Sequence, residues 1–351
     1  MGRLHFDTLQ VHAGFRSALR PELNCTQVVA DRLAQLEGGS SARLYATELA
    51  AYEELMHVIP RDRPNLLFVG EVGSQPCSLA AKAISARGGK LHVVRTDSLE
   101  DASDTLRQSC GAILVESIQE PLWRVSELES LSRLAQLHEA RFVVDNTYGA
   151  AGYLCRPLEH GADIVVSRAS EWLFTGSSGI RATVITKRSE GDEFEELADG
   201  AAQVDARPGV PADALPYLST LSLRAQRAAA TTAAVADYLG SHHLVAGVAY
   251  PGNTASATYA NARRYLRHGF GTVLSLQLKP QAVPAQQVCE ALRLFEDQWR
   301  IGATTSSARM LNGPGIESGG RDSSGDWLQL SFGIEYVDDL VADLTQGLMG
   351  R

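Results

Sequence analysis

The sequence predicts an α/β protein: a large domain built on a mainly parallel sheet, then a smaller C-terminal α/β domain. Three observations carry this. Short runs of continuous apolar residues alternate with helical segments through the first half of the chain. These runs lack apolar/polar alternation, which suits strands buried on both faces, as in a parallel sheet covered by helices. A long Ala-rich helical stretch, Leu215–Leu239, then separates them from a second, shorter set of strands and helices. With 351 residues, the chain is long enough for two substantial cores.

Taken in order, QVVADRLAQLEGG repeats its apolar positions at three and four residues and predicts a helix. Asn24 or Thr26 can cap its start, and Gly38-Gly39 ends it. A second helical stretch covers Thr47–Val58. LLFVG (66–70) and LHVV (91–94) read as strands, with the helix AAKAISARGG between them. AILVES (112–117) is another strand. SELESLSRLAQLHEA (126–140) is a helix leading into the strand FVVDN (142–146), and ADIVVS (162–167) and RATVIT (181–186) follow. The C-terminal part holds TVLSLQL (272–278), a helix near 284–296, the strand WLQLSFG (327–333) and a closing helix near 337–348. Glycines and serines in 312–325 mark a mobile loop.

Composition excludes several functions. A net charge of −9 argues against binding nucleic acid or an anionic membrane, since phosphate contacts need clustered cations. No apolar run is long enough for a membrane span, and MGRLHFDTLQ has no apolar signal region, so a cytoplasmic protein is expected. The five cysteines, Cys25, Cys77, Cys110, Cys155 and Cys289, form no CxxC pair, and an odd count is a poor disulfide framework. Free thiols in a reducing compartment are expected. The nine histidines show no HExxH spacing, and His242-His243 read as surface or cap residues. No metal is expected.

Residues 143–173, VVDNTYGAAGYLCRPLEHGADIVVSRASEWL, resemble the cofactor-binding core of the Cys/Met-metabolism family of pyridoxal-phosphate (PLP) enzymes, the cystathionine synthases and lyases and methionine γ-lyases. That family reads V-V-D-N-T-F, then R-P-L-x-x-G-A-D-I-V-V-H-S-A-T-K-Y-L. FDTLQVHAG near the start, YPG (250–252), GFGTVLSL and SFGIE extend the resemblance over nearly the whole chain. It implies the PLP-dependent transferase fold of type I. It also implies a shortened N-terminal arm at 1–23, a large domain at 24–222 and a small domain at 223–351.

The resemblance also shows what has changed. The family's lysine, which holds PLP as an imine, aligns with Glu171, and a carboxylate cannot form an imine. None of the four lysines (Lys82, Lys90, Lys187, Lys279) falls near that position. The phosphate-binding turn S-S-G-M aligns with Ala46-Thr47-Glu48-Leu49, where Glu48 would repel a phosphate. The neighbouring subunit's phosphate-binding Tyr and Arg align with Leu19 and Pro21. The ring-stacking tyrosine aligns with Gly73, the arginine for the substrate carboxylate with Gln329, and another polar pocket residue with Glu120. Asp145 matches the partner of the pyridine nitrogen. Its other reading is a strand-end Asp that hydrogen-bonds the adjoining loop.

The expectation is therefore a catalytically silent homologue of transsulfuration enzymes, a structural, regulatory or binding subunit with no PLP bound covalently or tightly. The alternative is an enzyme with altered chemistry, either a lysine-independent user of PLP or pyridoxamine phosphate, or a cofactor-free lyase or transferase. The expected assembly is a homodimer or a hetero-oligomer with an active paralogue. The candidate remodelled pocket comprises Glu48, Gly73, Glu120, Ser170, Glu171 and Gln329. Arg168 and other arginines are expected to neutralise its carboxylates, and a cation or amine-bearing ligand is the other way to balance them. Cys77 is a further candidate as a reactive thiol.

Overall fold

The computed structural model describes residues 25–95, 99–168, 172, 182–186, 214–311 and 326–350, the side chains of residues 25 and 26 excepted. The arm at 1–23 and the loop at 312–325 lie outside these residues, as do Asn24, Ser170 and Glu171.

The chain opens with α1 (Cys25–Glu37), β1 (Ser41–Tyr45), α2 (Glu48–Leu55) and β2 (Asn65–Val69). Then come α3 (Gln75–Ala86), β3 (Leu91–Val94), α4 (Leu99–Leu106) and β4 (Cys110–Glu116). A small hairpin, β5 (Ile118–Gln119) and β6 (Arg124–Val125), precedes α5 (Leu128–Leu137), β7 (Arg141–Asp145), β8 (Ile164–Ser167) and β9 (Ala182–Thr186). The seven-stranded sheet runs β1-β9-β8-β7-β4-β2-β3. β3, β2, β4, β7 and β8 are parallel, while β9 runs against β8 and β1 against β9.

Burial explains the parallel part. β4, CGAILVE, is buried at every position, and β7 and β8 are nearly so. One face packs Leu67, Ile113, Val144 and Val165 against α1 and α5 side chains such as Leu33 and Leu131. The other packs Phe68, Leu114, Val143 and Val166 against Tyr52, Leu55 and Ala80 of α2 and α3. Both faces are covered by helices, so the strands carry no polar face.

The helical stretch at Leu215–Leu239 is two helices, α6 (Ala214–Ser219) and α7 (Leu221–Gly240), broken at Thr220. The second sheet follows, with β10 (Val245–Ala249), α8 (Tyr259–Tyr265), β11 (Val273–Leu278), α9 (Ala285–Ala291), β12 (Ser307–Met310), β13 (Trp327–Ser331) and α10 (Val337–Leu348). Its order is β10-β11-β13-β12, antiparallel throughout, with α7, α9 and α10 contributing to its core. The helix expected near 284–296 stops at Ala291 because Leu292 turns extended, with ψ 137°. Among the described residues, no helix is long and apolar enough to cross a membrane. Cys77, Cys110, Cys155 and Cys289 are free.

Candidate active site

The parallel register brings two acids side by side. Glu116 ends β4 and pairs with Asp145, which ends β7; Asp145 pairs in turn with Val166 of β8. The carboxyl ends of parallel strands are where open α/β sheets place their ligands. Arg168 leaves β8 here and turns its side chain across the strand ends. Its Nε donates to Asp145 Oδ2 at 2.8 Å, and its Nη1 donates to Gln75 Oε1 at 2.8 Å. Its Nη2 lies 3.7 Å from Glu116 Oε1 without a hydrogen bond.

Every position around Asp145 is occupied by the chain itself. Oδ2 also accepts from Tyr52 Oη at 2.5 Å. Oδ1 accepts from the Thr147 amide at 2.9 Å and from Thr147 Oγ1 at 2.5 Å, and Thr147 Oγ1 accepts the Arg168 amide at 3.0 Å. The loop-bonding reading of Asp145 therefore accounts for one oxygen, and Arg168 with Tyr52 for the other.

Burial sets the protonation of this group. Burial opposes the Arg168 charge, but Asp145 and the surrounding acidic groups outweigh it, so the guanidinium holds its proton more tightly than usual. Burial pushes the Glu116 carboxyl well above the carboxylate range, and Asp145, Glu120 and Glu71 add to this against the opposing pull of Arg168. Neither Glu116 side-chain oxygen has a hydrogen-bond partner. Burial, then Asp145, raises Tyr52 as well, which keeps it a neutral donor.

A second group lies beside the first. Glu120 accepts a short hydrogen bond from Tyr148 Oη and meets Arg309 Nη2 at 2.9 Å. Arg309 is on β12, directly across from Gln329 on β13. Its Nε donates to Gln329 Oε1 at 2.7 Å, and its guanidinium lies 4.2 Å over the Trp299 ring. Gln329 is fully buried, and its Nε2 has no partner. Gln329 itself is a neutral amide, and an arginine, Arg309, stands beside it. The arginine comes from the neighbouring strand, where no linear motif announces it.

Other sequence candidates fall as follows. Glu48 opens α2 and accepts from Gln75 Nε2 at 2.5 Å, so Glu48, Gln75, Arg168 and Asp145 form one chain of contacts. Arg168 neutralises Asp145, and a further arginine, Arg309, neutralises Glu120. Gly73 adopts a left-handed backbone, φ +91°, with open space where a Cβ would stand, so no ring extends from it. Burial raises the Cys77 thiol, which stays protonated and does not support a reactive role. Ser170 and Glu171 lie outside the described residues. Trp172, beside them, is buried. Arg224 of α7 fixes it, donating from Nη2 to the Trp172 carbonyl at 3.0 Å and from Nη1 to the Gly302 carbonyl at 2.7 Å. Tyr52, Arg224 and Arg309 were not singled out from the sequence. Each reaches the site from an element remote in the chain, and only the register or packing reveals it.

A pyridine ring facing Asp145 needs one carboxylate oxygen. As the pocket stands, Arg168 and Tyr52 hold that oxygen, so the residues fit such a ring only with the guanidinium withdrawn.

Known proteins resemble the chain over most of its length. Sulfhydrylase FUB7 of Gibberella moniliformis is 30% identical, with 90% of this chain and 82% of that protein covered. The crystal structure of metB from Corynebacterium glutamicum is 25% identical and superposes with a TM-score of 0.81, covering 94% of this chain and 88% of that one. The fold is shared with a putative O-acetylhomoserine (thiol)-lyase (metY) of Campylobacter jejuni, at 21% identity and a TM-score of 0.78, with 99% and 92% covered. That structure carries N'-pyridoxyl-lysine-5'-monophosphate. The type I fold expected from the resemblance is thereby shown. The expectation that the chain takes no cofactor is overturned, because the family model matching residues 19–349 is that of PLP-dependent enzymes. The chain belongs to the Cys/Met metabolism PLP-dependent enzyme family.

Proposed function

We propose that the chain is a catalytically silent homologue of the transsulfuration enzymes, acting as a structural, regulatory or binding subunit. Its partner is a second copy or an active paralogue, in the cytoplasm, where its free thiols stay reduced. The observation that carries this reading is the buried Arg168–Asp145 pair, at 2.8 Å. The acid that the family resemblance assigns to the ring nitrogen already has a cation of its own. Glu171, at the lysine position, and the Arg309–Glu120 pair support the same reading.

The claim concerns turnover and leaves PLP as the family's cofactor. When bound, PLP supplies an electron sink for bond breaking at the amino acid. This chain offers no amine at residue 171 to anchor it or to move a proton.

A second reading rests on Glu116. A buried carboxyl held toward its protonated form beside the Arg168–Asp145 pair is a candidate proton donor, so an enzyme of altered lyase or transferase chemistry is the alternative.

The test is to supply purified chain with PLP, O-acetylhomoserine and sulfide and to measure homocysteine. No formation above the uncatalysed background is expected. Turnover at a rate typical of enzymes, about 1 per second or faster, would sink the silent reading.

A further inference from the structure

Arg168 is held incompletely. An arginine opposite a carboxylate normally docks two parallel N–H groups on two oxygens, which is its strongest arrangement. Here only Nε reaches Asp145, because Thr147 has taken Oδ1 and Tyr52 shares Oδ2. Nη1 is anchored on Gln75, a side chain in the first turn of α3 that is itself exposed. Nη2 has no acceptor although it is buried, and the nearest acid, Glu116, is 3.7 Å away. Two contacts therefore hold a cation across the strand ends, one to the acid and one to an exposed amide.

We propose that Arg168 is an internal counter-ion that competes with a ligand's ring N–H for Asp145, so that the pocket accepts a pyridine-type ligand only by exchange. Asp145 cannot serve both. Its Oδ2 already accepts two hydrogen bonds, and an incoming ring nitrogen takes the place of the guanidinium. Arg168 then sets affinity and ligand choice without touching the reacting atoms, which makes it a positioning residue. Withdrawal breaks the bonds to Asp145 and Gln75. The proposal is independent of whether the chain turns over.

The experiment is titration of the full-length chain with PLP, followed by absorbance and tryptophan fluorescence. Wild type is compared with Arg168→Ser, Arg168→Lys and Gln75→Ala. Arg168→Ser is expected to bind at least about tenfold more tightly, which is about 1.4 kcal/mol. Arg168→Lys keeps the charge and is expected to stay within about threefold of wild type, near 0.7 kcal/mol by the same conversion. Lysine binding as tightly as serine would mean that side-chain bulk, not charge, opposes the ligand, and would overturn the proposal. So would equal affinity of wild type and Arg168→Ser, including no binding by either. Gln75→Ala removes the second anchor and leaves Asp145 paired. If Arg168→Ser does not fold, this variant decides: tighter binding supports the exchange, and unchanged or weaker binding overturns it.

Discussion

The two arginine–carboxylate pairs of the pocket use the same chemical groups in different surroundings. Arg168 and Asp145 have side chains 5% and 1% exposed; Arg309 and Glu120 are 34% and 18% exposed. The first pair closes the ends of the parallel strands, and the second bridges the hairpin after β4 and the antiparallel sheet. Removing one member of a buried pair strands the other charge in a medium that cannot solvate it. Removing one member of a half-exposed pair lets water replace it. The pocket therefore has a rigid side and a yielding side, distinguished by burial and not by residue type.

The largest effect is expected on the rigid side. Arg168→Ala should cost about 3–5 kcal/mol of stability by urea unfolding. Arg168→Met together with Asp145→Asn should recover most of that loss, since neither charge is then left unpaired. A double variant as unstable as the single one would break the contrast.

Glu37 sharpens the comparison, because it is a buried carboxyl that meets an amide in place of a guanidinium. Asn146 Nδ2 lies 3.1 and 2.9 Å from its oxygens, and burial raises its pKa from 4.5 to about 8, against the opposing effects of Asn146 and Arg156. A folded-state pKa above the unfolded one means the folded state holds the extra proton. Its contribution is fully present below about pH 4.5 and is lost as the pH rises to about 8. The wild-type chain should therefore lose stability across this window more steeply than Glu37→Gln. Parallel pH profiles would contradict a raised Glu37 pKa in the folded chain.

The smallest effect is expected on the yielding side. Arg309→Ala should change stability by about 1 kcal/mol or less. A loss as large as that of Arg168→Ala would remove the distinction between the two pairs.

Much of the fold was legible in the sequence because burial on both faces writes continuous apolar runs such as AILV and IVV into the parallel strands. β1 was not, because SARLY is only half buried and carries Arg43, whose guanidinium meets Glu54 at 2.6 Å. Asp145 and Arg168 could be named from a linear pattern, and their approach follows from adjacent strand ends. Arg309 could not, since it joins Gln329 only through strand register, 20 positions away in the chain. Tyr52 reaches Asp145 across 93 positions through the packing of α2 on the sheet.

The most direct measurement is homocysteine formation by Glu171→Lys alone, with PLP, O-acetylhomoserine and sulfide supplied. Restoring the amine leaves Arg168 on Asp145 and Glu120 on Arg309, so the expected result is no turnover above that of wild type. Turnover restored by this single substitution to about 1 per second would contradict the claim that the pocket is closed by its own charge pairs.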